Sequence, residues 1–275
     1  MKRSTKRRVV AIFIISCFFW SFAIPQVCFG QTPGQNVALA LSAREVMIGF
    51  EDGSMGWEET LTRAQAVKII VLAMGLGEQI KQSQSVIQSF PDVGADHWAF
   101  GVINLGTELE IVKGFPDGTF KPDKPVTKAE YAVMLWRMYR GLGGIPQSEI
   151  EVPPIEPSWA ASEIKGSSDL IQVLNLKEGD SLEYQITRGE TGSITYSLME
   201  RFGLLYDIKG EITEVNRGSI LLRDYNSDQI VTIKMGADAK CIQGEEQISI
   251  SPDLVGKEAG IILNRLRVCA LISIE

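Results

Sequence analysis

Gly114-Phe115-Pro116-Asp117-Gly118-Thr119-Phe120-Lys121-Pro122, followed by Thr127-Lys128-Ala129-Glu130, reads as a tight turn that leads into a capped helix. Proline presets φ at a turn corner and glycine accepts a positive φ, so Pro116-Asp117-Gly118 carries turn chemistry. Self-similarity at a fixed period decides a fold before any single element does. A shift of 65 positions lays Gly49-Phe50-Glu51-Asp52-Gly53-Ser54 on Gly114 to Thr119, and Leu61-Thr62-Arg63-Ala64-Gln65 on Val126 to Glu130, without a gap. The register continues, with Ala66, Ile69, Ile70 and Ala73 meeting Tyr131, Met134, Leu135 and Met138. Chance is a poor explanation for this agreement; the segment is duplicated.

Those last positions recur at i, i+3, i+4 and i+7, which places an apolar stripe on one face of a helix. Upstream of the turn, Trp98, Val102, Leu105, Leu109 and Val112 form a second helical stripe, closed by Gly114 where a C-terminal glycine is favoured. The unit is helix, turn, helix. A third, worn copy follows, in which Trp159-Ala160 answers Trp98-Ala99, Ile164 answers Ile103, and Ile186-Thr187-Arg188-Gly189-Glu190 answers Val126 to Glu130. Its glycine turn reads as lost, and Gly166-Ser167-Ser168 weakens its first helix. Gly141 to Pro157, rich in Gly, Pro and Glu, reads as a connector between copies two and three.

Thr-x-x-Glu at a helix start is a capping box, in which hydroxyl and carboxylate satisfy orphaned backbone donors. Thr62 with Gln65, Thr127 with Glu130 and Thr187 with Glu190 are therefore expected caps. The residue after each threonine is basic: Arg63, Lys128 and Arg188. A cation there opposes the helix macrodipole, so stability alone would select an acid. Two readings stay open, a functional cation facing an anionic ligand beside a helix N-terminus and a solvated surface cation.

With Phe90-Pro91-Asp92-Val93 and His97-Trp98-Ala99 placed before the turn and cap, the order and spacing of four sub-motifs resemble an S-layer homology (SLH) repeat. The likeness is full over residues 86–140, partial over 36–76 and degenerate over 154–203. It implies three repeats packed as a pseudo-threefold helical bundle that binds a secondary cell-wall polysaccharide, often pyruvylated, in grooves between repeats. It implies glycan contact for Arg63, Lys128 and Arg188, with Trp98, Asp117 and Gly118 as further candidates, and Lys128 is the first choice among them. Copy one lacks the Phe-x-Asp and Trp half, Gln65 replaces the acid of the motif, and Gly189 replaces its alanine. Trp98 and Trp159 could stack on sugars, but tryptophan at the head of an apolar stripe is more often core, and core is the reading favoured for both. His97, the only histidine, reads as a capping or surface residue.

Outside the repeats, residues 1–30 read as a secretory signal. Lys2, Arg3, Lys6, Arg7 and Arg8 precede an apolar run from Val9 to Phe19, with cleavage sites after Ala23 or Gly30. Pro25 and Gln26 end the run too early for a spanning helix, and the aromatic residues after Cys17 argue against a lipid-anchored cysteine. Removing this segment leaves 22 Lys and Arg against 34 Asp and Glu, a net charge of −12. That argues against nucleic acid as a partner. Cys241 and Cys269 remain, either as a disulfide permitted by export or as two buried thiols.

From Leu204 the pattern changes to alternation. Ile208 to Val215, Ser219 to Arg223, Gln229 to Met235, Gln247 to Ile250, Gly260 to Leu263 and Arg267 to Ile274 read as strands of a small all-β barrel or sandwich over 205–275. The expected fold class is thus α+β: a helical repeat region, a linker over 141–153, and a β domain. A nucleophilic triad needs a histidine in reach of a Ser or Cys, and the single His97 lies inside the repeat; no phosphate loop, zinc signature or serine elbow is present. Asp92, Asp96, Asp117 and Asp123 lack calcium-loop spacing. The expectation is a secreted, non-catalytic protein of the cell wall or cell surface (S-layer) that needs no cofactor or metal. It binds wall polysaccharide through the repeats, with a protein partner for the β domain. The alternative is an envelope scaffold that has lost glycan binding.

Overall fold

The computed structural model describes residues 32–83, 88–142, 153–164, 168–264 and 266–275. The expected signal segment, Gly166-Ser167 and most of the connector after Gly141 lie outside the described residues. The chain runs α1 (Gln35–Ala43), α2 (Arg63–Ala73), α3 (Gly77–Gln82), α4 (Phe100–Glu108), α5 (Lys128–Gly141), α6 (Ser158–Glu163), α7 (Ser168–Leu174) and α8 (Arg188–Arg201). Six strands follow: β1 (Ile208–Asn216), β2 (Ser219–Asp224), β3 (Ile230–Gln243), β4 (Glu246–Ile248), β5 (Glu258–Leu263) and β6 (Cys269–Ile274). The fold class is α+β, with the helices N-terminal to the sheet.

Helices α2, α5 and α8 begin at the three capping threonines, and their starts are stitched together by backbone. Val126 N donates to Leu61 O (2.9 Å), Leu61 N to Ile186 O (3.4 Å), and Ile186 N to Val126 O (3.1 Å), which closes a ring of three hydrogen bonds among buried residues. Antiparallel bridges flank it at Thr62 with Pro125, Thr127 with Gln185, and Thr60 with Thr187. The first two amides of each helix have no partner within the helix. Here each pair donates to the turn of the next copy: Arg63 and Ala64 to Lys124 and Pro122, Lys128 and Ala129 to Tyr184 and Leu182, Arg188 and Gly189 to Glu59 and Trp57. Helix starts and turns thus satisfy one another around the ring.

Below the ring the three helices converge. Tyr131 is fully buried at the position that Ala66 holds in the first copy and Thr191 in the third, so one large side chain fills the space that two small ones leave. Its hydroxyl lies 2.7 Å from Thr195 Oγ1, which in turn donates to Thr191 O (2.7 Å). Burial raises the Tyr131 phenol well above its ordinary value. Ile70, Ala73, Leu135, Met138, Leu198 and Met199 line a small apolar hollow lower down.

Two sequence expectations are corrected by the helix boundaries. Trp98 and Trp159, expected in the core, are 54% and 47% exposed. Helix α4 starts at Phe100, so Ala99 and Ile103 take the inward positions and Trp98 lies before the helix; in α6, Ala160 and Ile164 take the i and i+4 positions one residue off Trp159. The third copy also keeps its glycine turn. Gly179 has φ +83°, beside +81° at Gly53 and +82° at Gly118, and only the spacing from turn to cap is one residue shorter.

The sheet has the order β2-β1-β5-β6-β3-β4, and β3 also pairs with β2, so the pairings return to their start through five strands. Strand β3 achieves this by its length, antiparallel to β2 over Ile230–Lys234 and parallel to β6 from Met235, with an irregularity between Met235 and Lys240. Gly236 sits at the changeover, where a Cβ would lie 2.7 Å from Cys269 O. The strand read from Gln229 to Met235 therefore extends to Gln243. Cys241 and Cys269 are free, buried thiols, and burial pushes them to about 11 and about 12. They are protonated and act as small apolar core residues.

Sheet and helices are joined at Arg44. It follows α1 and donates to Leu204 O and Leu205 O while pairing with Asp207 Oδ1 at 3.0 Å; Asp207 Oδ2 accepts Leu263 N at 2.8 Å. Ile242, Ile262 and Leu271 pack into the helical core, and the remaining sheet residues form a second cluster.

The Thr191 hydroxyl is buried among the helices with no hydrogen-bond partner. An unpaired buried polar group costs about 1–3 kcal/mol, so Thr191→Val, of the same shape, is expected to raise the unfolding midpoint. Tyr131→Ala is expected to lower stability by about 3–5 kcal/mol. Thermal melts of both variants check this, and a lower midpoint for Thr191→Val would show that the hydroxyl is satisfied in solution.

Candidate functional site

The three junctions between a helix start and the next turn bring the candidate residues together. At the first, the Thr62 hydroxyl accepts Gln65 N and Gln65 Oε1 accepts Thr62 N at 2.9 Å. Arg63, the first residue of α2, turns away from its own helix into the neighbouring turn. Its Nε donates to Phe120 O at 2.9 Å, Nη1 lies 3.3 Å from Glu130 Oε1, and its guanidinium covers the Phe115 and Phe120 rings at 4.6 and 4.8 Å. Glu130 is itself a cap residue, because Oε2 accepts Thr127 N at 3.0 Å. One carboxylate thus caps α5 and anchors the base of α2.

At the second junction Lys128 Nζ lies 2.8 Å from Glu190 Oε1, and its ammonium stands 5.6 Å from the centre of the Tyr184 ring. The Tyr184 hydroxyl donates to the same oxygen at 2.6 Å. Thr187 caps α8 by accepting Glu190 N at 3.2 Å, while the Glu190 carboxylate serves Lys128 and Tyr184. At the third, Arg188 Nε donates to Met55 O and Nη2 to Ile48 O, the places Phe120 and Lys113 hold one repeat later. Arg188 also covers the Phe50 ring at 5.0 Å. Gln65 stands where the other junctions carry a carboxylate.

Arg63 and Lys128 are 4% and 5% exposed, so neither is a solvated surface cation. Burial lowers the Arg63 guanidinium from its ordinary value and Glu130 opposes that shift. The macrodipole penalty of a base at the helix start is met by turning the cation onto carbonyls and a carboxylate of the next repeat.

The other candidates lie on the turn. Asp117 accepts Thr119 N and Thr119 Oγ1 and pairs with Lys121 at 2.8 Å; the Lys121 and Thr119 contacts hold its carboxyl well below the usual range. Gly118 follows with its positive φ. Trp98 stacks on His97 at 5.8 Å, with Lys68 Nζ 5.7 Å from its ring centre. His97 Nδ1 accepts Ala99 N at 3.1 Å, a local cap at the entry to α4. Among the described residues no three His, Cys, Asp or Glu side chains gather as metal ligands.

Sequence reasoning missed two features. Asp92 accepts Phe120 N at 2.8 Å and Lys121 N at 2.7 Å, which explains the Phe-x-Asp element as a clamp on the turn. The Phe115 ring is ringed by cations, with Lys121 and Lys124 Nζ at 4.4 and 4.9 Å from its centre in addition to Arg63. The available signal was three lysines between positions 113 and 124 of an acidic chain.

Comparison with known proteins follows the same lines. The family described as S-layer homology domain matches residues 89–132. The chain is 31% identical over 179 residues to the middle cell wall protein of Brevibacillus brevis, covering 63% of this chain and 16% of that protein. It is 35% identical over 120 residues to a cellulosome-anchoring protein of Acetivibrio thermocellus, covering 42% and 27%. It is 30% identical over 176 residues to a surface layer protein of Brevibacillus choshinensis, covering 63% and 15%. The chain spans less than a third of the length of each.

Removing Glu130 deprives both α5 and Arg63 of a partner. Glu130→Ala is expected to cost about 3–5 kcal/mol, the range for leaving a buried charge unpaired. Gln65→Glu keeps the cap and places a carboxylate toward Arg188, for an expected gain of about 0.5–1 kcal/mol. Urea unfolding checks both signs, and an unchanged midpoint for Glu130→Ala would show that the junction does not depend on this carboxylate.

Proposed function

Because the chain carries an S-layer homology domain, we propose that it is an exported, non-catalytic cell-surface protein that anchors to the bacterial envelope by binding wall polysaccharide through three repeats. The observation that carries this reading is the closed ring of backbone hydrogen bonds through Leu61, Val126 and Ile186. It supports a pseudo-threefold helical unit in which the partial first copy and worn third copy act as full structural members. The repeats extend over 36–76, 86–140 and 154–203, each turn facing a helix start of another copy across a surface junction. The return of strand pairing from β3 to β2 supports a small barrel for 205–275. Arg44 and Asp207 join it to the repeats, so a protein partner of the barrel is displayed at a fixed orientation to the wall.

Surface location accords with relatives named as cell wall, surface layer and cellulosome-anchoring proteins. Among the described residues no helix is long and apolar enough to cross a membrane, and attachment through the wall polymer supplies the retention. A second reading, an envelope scaffold without glycan binding, is favoured by one observation: Arg63 and Lys128 are engaged with groups of the protein itself.

Sedimentation with purified sacculi separates the two. The chain without residues 1–30 is expected to pellet with intact sacculi and to stay in solution with sacculi stripped of secondary polymer by hydrofluoric acid. Equal binding to stripped sacculi, or no binding to either, would remove the polysaccharide reading and leave the scaffold.

A further inference from the structure

The strand region segregates its charge. Residues 215–223, 229–237 and 259–274 hold five Lys and Arg and no Asp or Glu, in a chain with 34 acidic against 27 basic residues. The fold brings these three segments together at one place on β3. Met235 N donates to Gly218 O at 2.9 Å, Ser219 stands opposite Lys234, and Met235 stands opposite Cys269. A Cβ on Gly236 would lie 3.5 Å from a methyl of Val268 as well as against Cys269 O. The 216–218 turn, the middle of β3 and the loop before β6 are therefore neighbours, and they carry Arg217, Lys234 and Arg267.

All three cations are exposed. Among the described residues the ion pairs that involve the strand region are Arg44 with Asp207 and Lys209 with Glu275, and none of the three cations takes part in one. Arg223, by contrast, stands opposite Glu211 on β1. Glu214, opposite Leu221, and Asp238, in the irregular stretch of β3, border the patch. The loop before β6 is held by its own polar groups. Asn264 N donates to Val268 O and Arg267 N to Asn264 O, both at 2.9 Å, while Asn264 Oδ1 accepts the amides of Leu266 and Val268 at 2.9 and 3.3 Å. Leu266, 82% exposed, and Arg267 are thus presented outward.

We infer that this patch is a binding site on the strand region, separate from the repeat junctions, for an anionic polymer that carries carboxylate or phosphate groups. It rests on the surface location and not on glycan binding by the repeats. In an acidic chain an exposed cation gains by lying beside a carboxylate. Three cations gathered away from carboxylates forgo that gain and set up a local positive potential that attracts a polyanion. Arg217 and Arg267 supply guanidinium forks that match carboxylate and phosphate geometry. Ser219 and the exposed Thr232 add hydroxyl donors on the outer face of β2 and β3. At the cell surface the polyanions within reach are wall polymers, and a lipid surface would find a single large apolar side chain here, Leu266. The Leu263 amide is held by Asp207, the partner of Arg44, so the loop keeps a fixed position relative to the repeats.

The test titrates the chain without residues 1–30 with soluble polygalacturonate and with inorganic polyphosphate, at about 50 and about 300 mM salt, where screening differs strongly. Wild type is expected to bind at least one polymer, the first if carboxylates are read and the second if phosphates are, and more weakly at the higher salt. Arg217→Gln with Lys234→Gln and Arg267→Gln is expected to lose about tenfold in affinity at low salt and most of the salt dependence, with an unchanged melting curve. Lys81→Gln with Lys177→Gln, exposed lysines of the repeats, is expected to stay within about twofold of wild type. Binding of neither polymer, a triple variant within about twofold of wild type, or an equal loss in the double variant overturns the site. Flotation with phosphatidylglycerol vesicles that Leu266→Ser abolishes would make a lipid surface the occupant and overturn the polymer. These readouts use soluble ligands and vesicles, so each outcome is distinguishable from sedimentation with sacculi, which measures the anchoring function.

Discussion

Three backbone hydrogen bonds, linking Leu61, Ile186 and Val126 head to tail, are the constraint on which the helical part of this chain depends. Each residue lies just before a capping threonine, so the ring sets where α2, α5 and α8 begin and how they face one another. Helix starts carry amides without internal partners, and a buried start needs outside acceptors. Each copy supplies them to a neighbour through its turn carbonyls. Only two of the copies are obvious duplicates, yet all three take part, because the exchange uses backbone groups that wear in the side chains does not remove.

Once the starts are tied, side-chain differences among the copies become differences in what each junction can do. The base after each threonine is turned onto the next repeat in all three cases, and in two it meets a carboxylate of the next helix's first turn, Glu130, which also caps α5, and Glu190, which does not cap α8. Capping, ion pairing and inter-repeat contact then share atoms, so a single change such as Gln65 for the expected acid alters one junction without disturbing the ring. The turn around Phe115 adds lysines above the buried base, and there charge and an apolar ring coincide at the surface.

The strand region obeys the same accounting of backbone groups. Long β3 serves two neighbours in succession and changes partner at Gly236, where the Cys269 carbonyl leaves no room for a side chain. The sheet then sits against α1 through Arg44, whose donors end on the carbonyls of Leu204 and Leu205 and on Asp207. The two parts of the chain are joined by a charged contact rather than by a tether alone.

The sequence by itself determined the repeat, the threonine caps, the turn at Gly118 and the change to strands after Leu204. All of these are local, set by period, by cap chemistry and by glycine's tolerance of positive φ. Tertiary structure alone decided which way Arg63, Lys128 and Arg188 point, because a side chain at a helix start can face solvent or a neighbour with the same local pattern. It moved Trp98 and Trp159 to the surface, since the helix boundary shifts the stripe by one residue and a one-residue shift turns a side chain by about 100°. It also recovered the Gly179 turn, where a one-residue deletion hides the match in sequence while the backbone angle keeps it. The cation cluster at Phe115 belongs to the same class: its lysines were visible in the chain, but only the junction places them on one ring with Arg63 beneath.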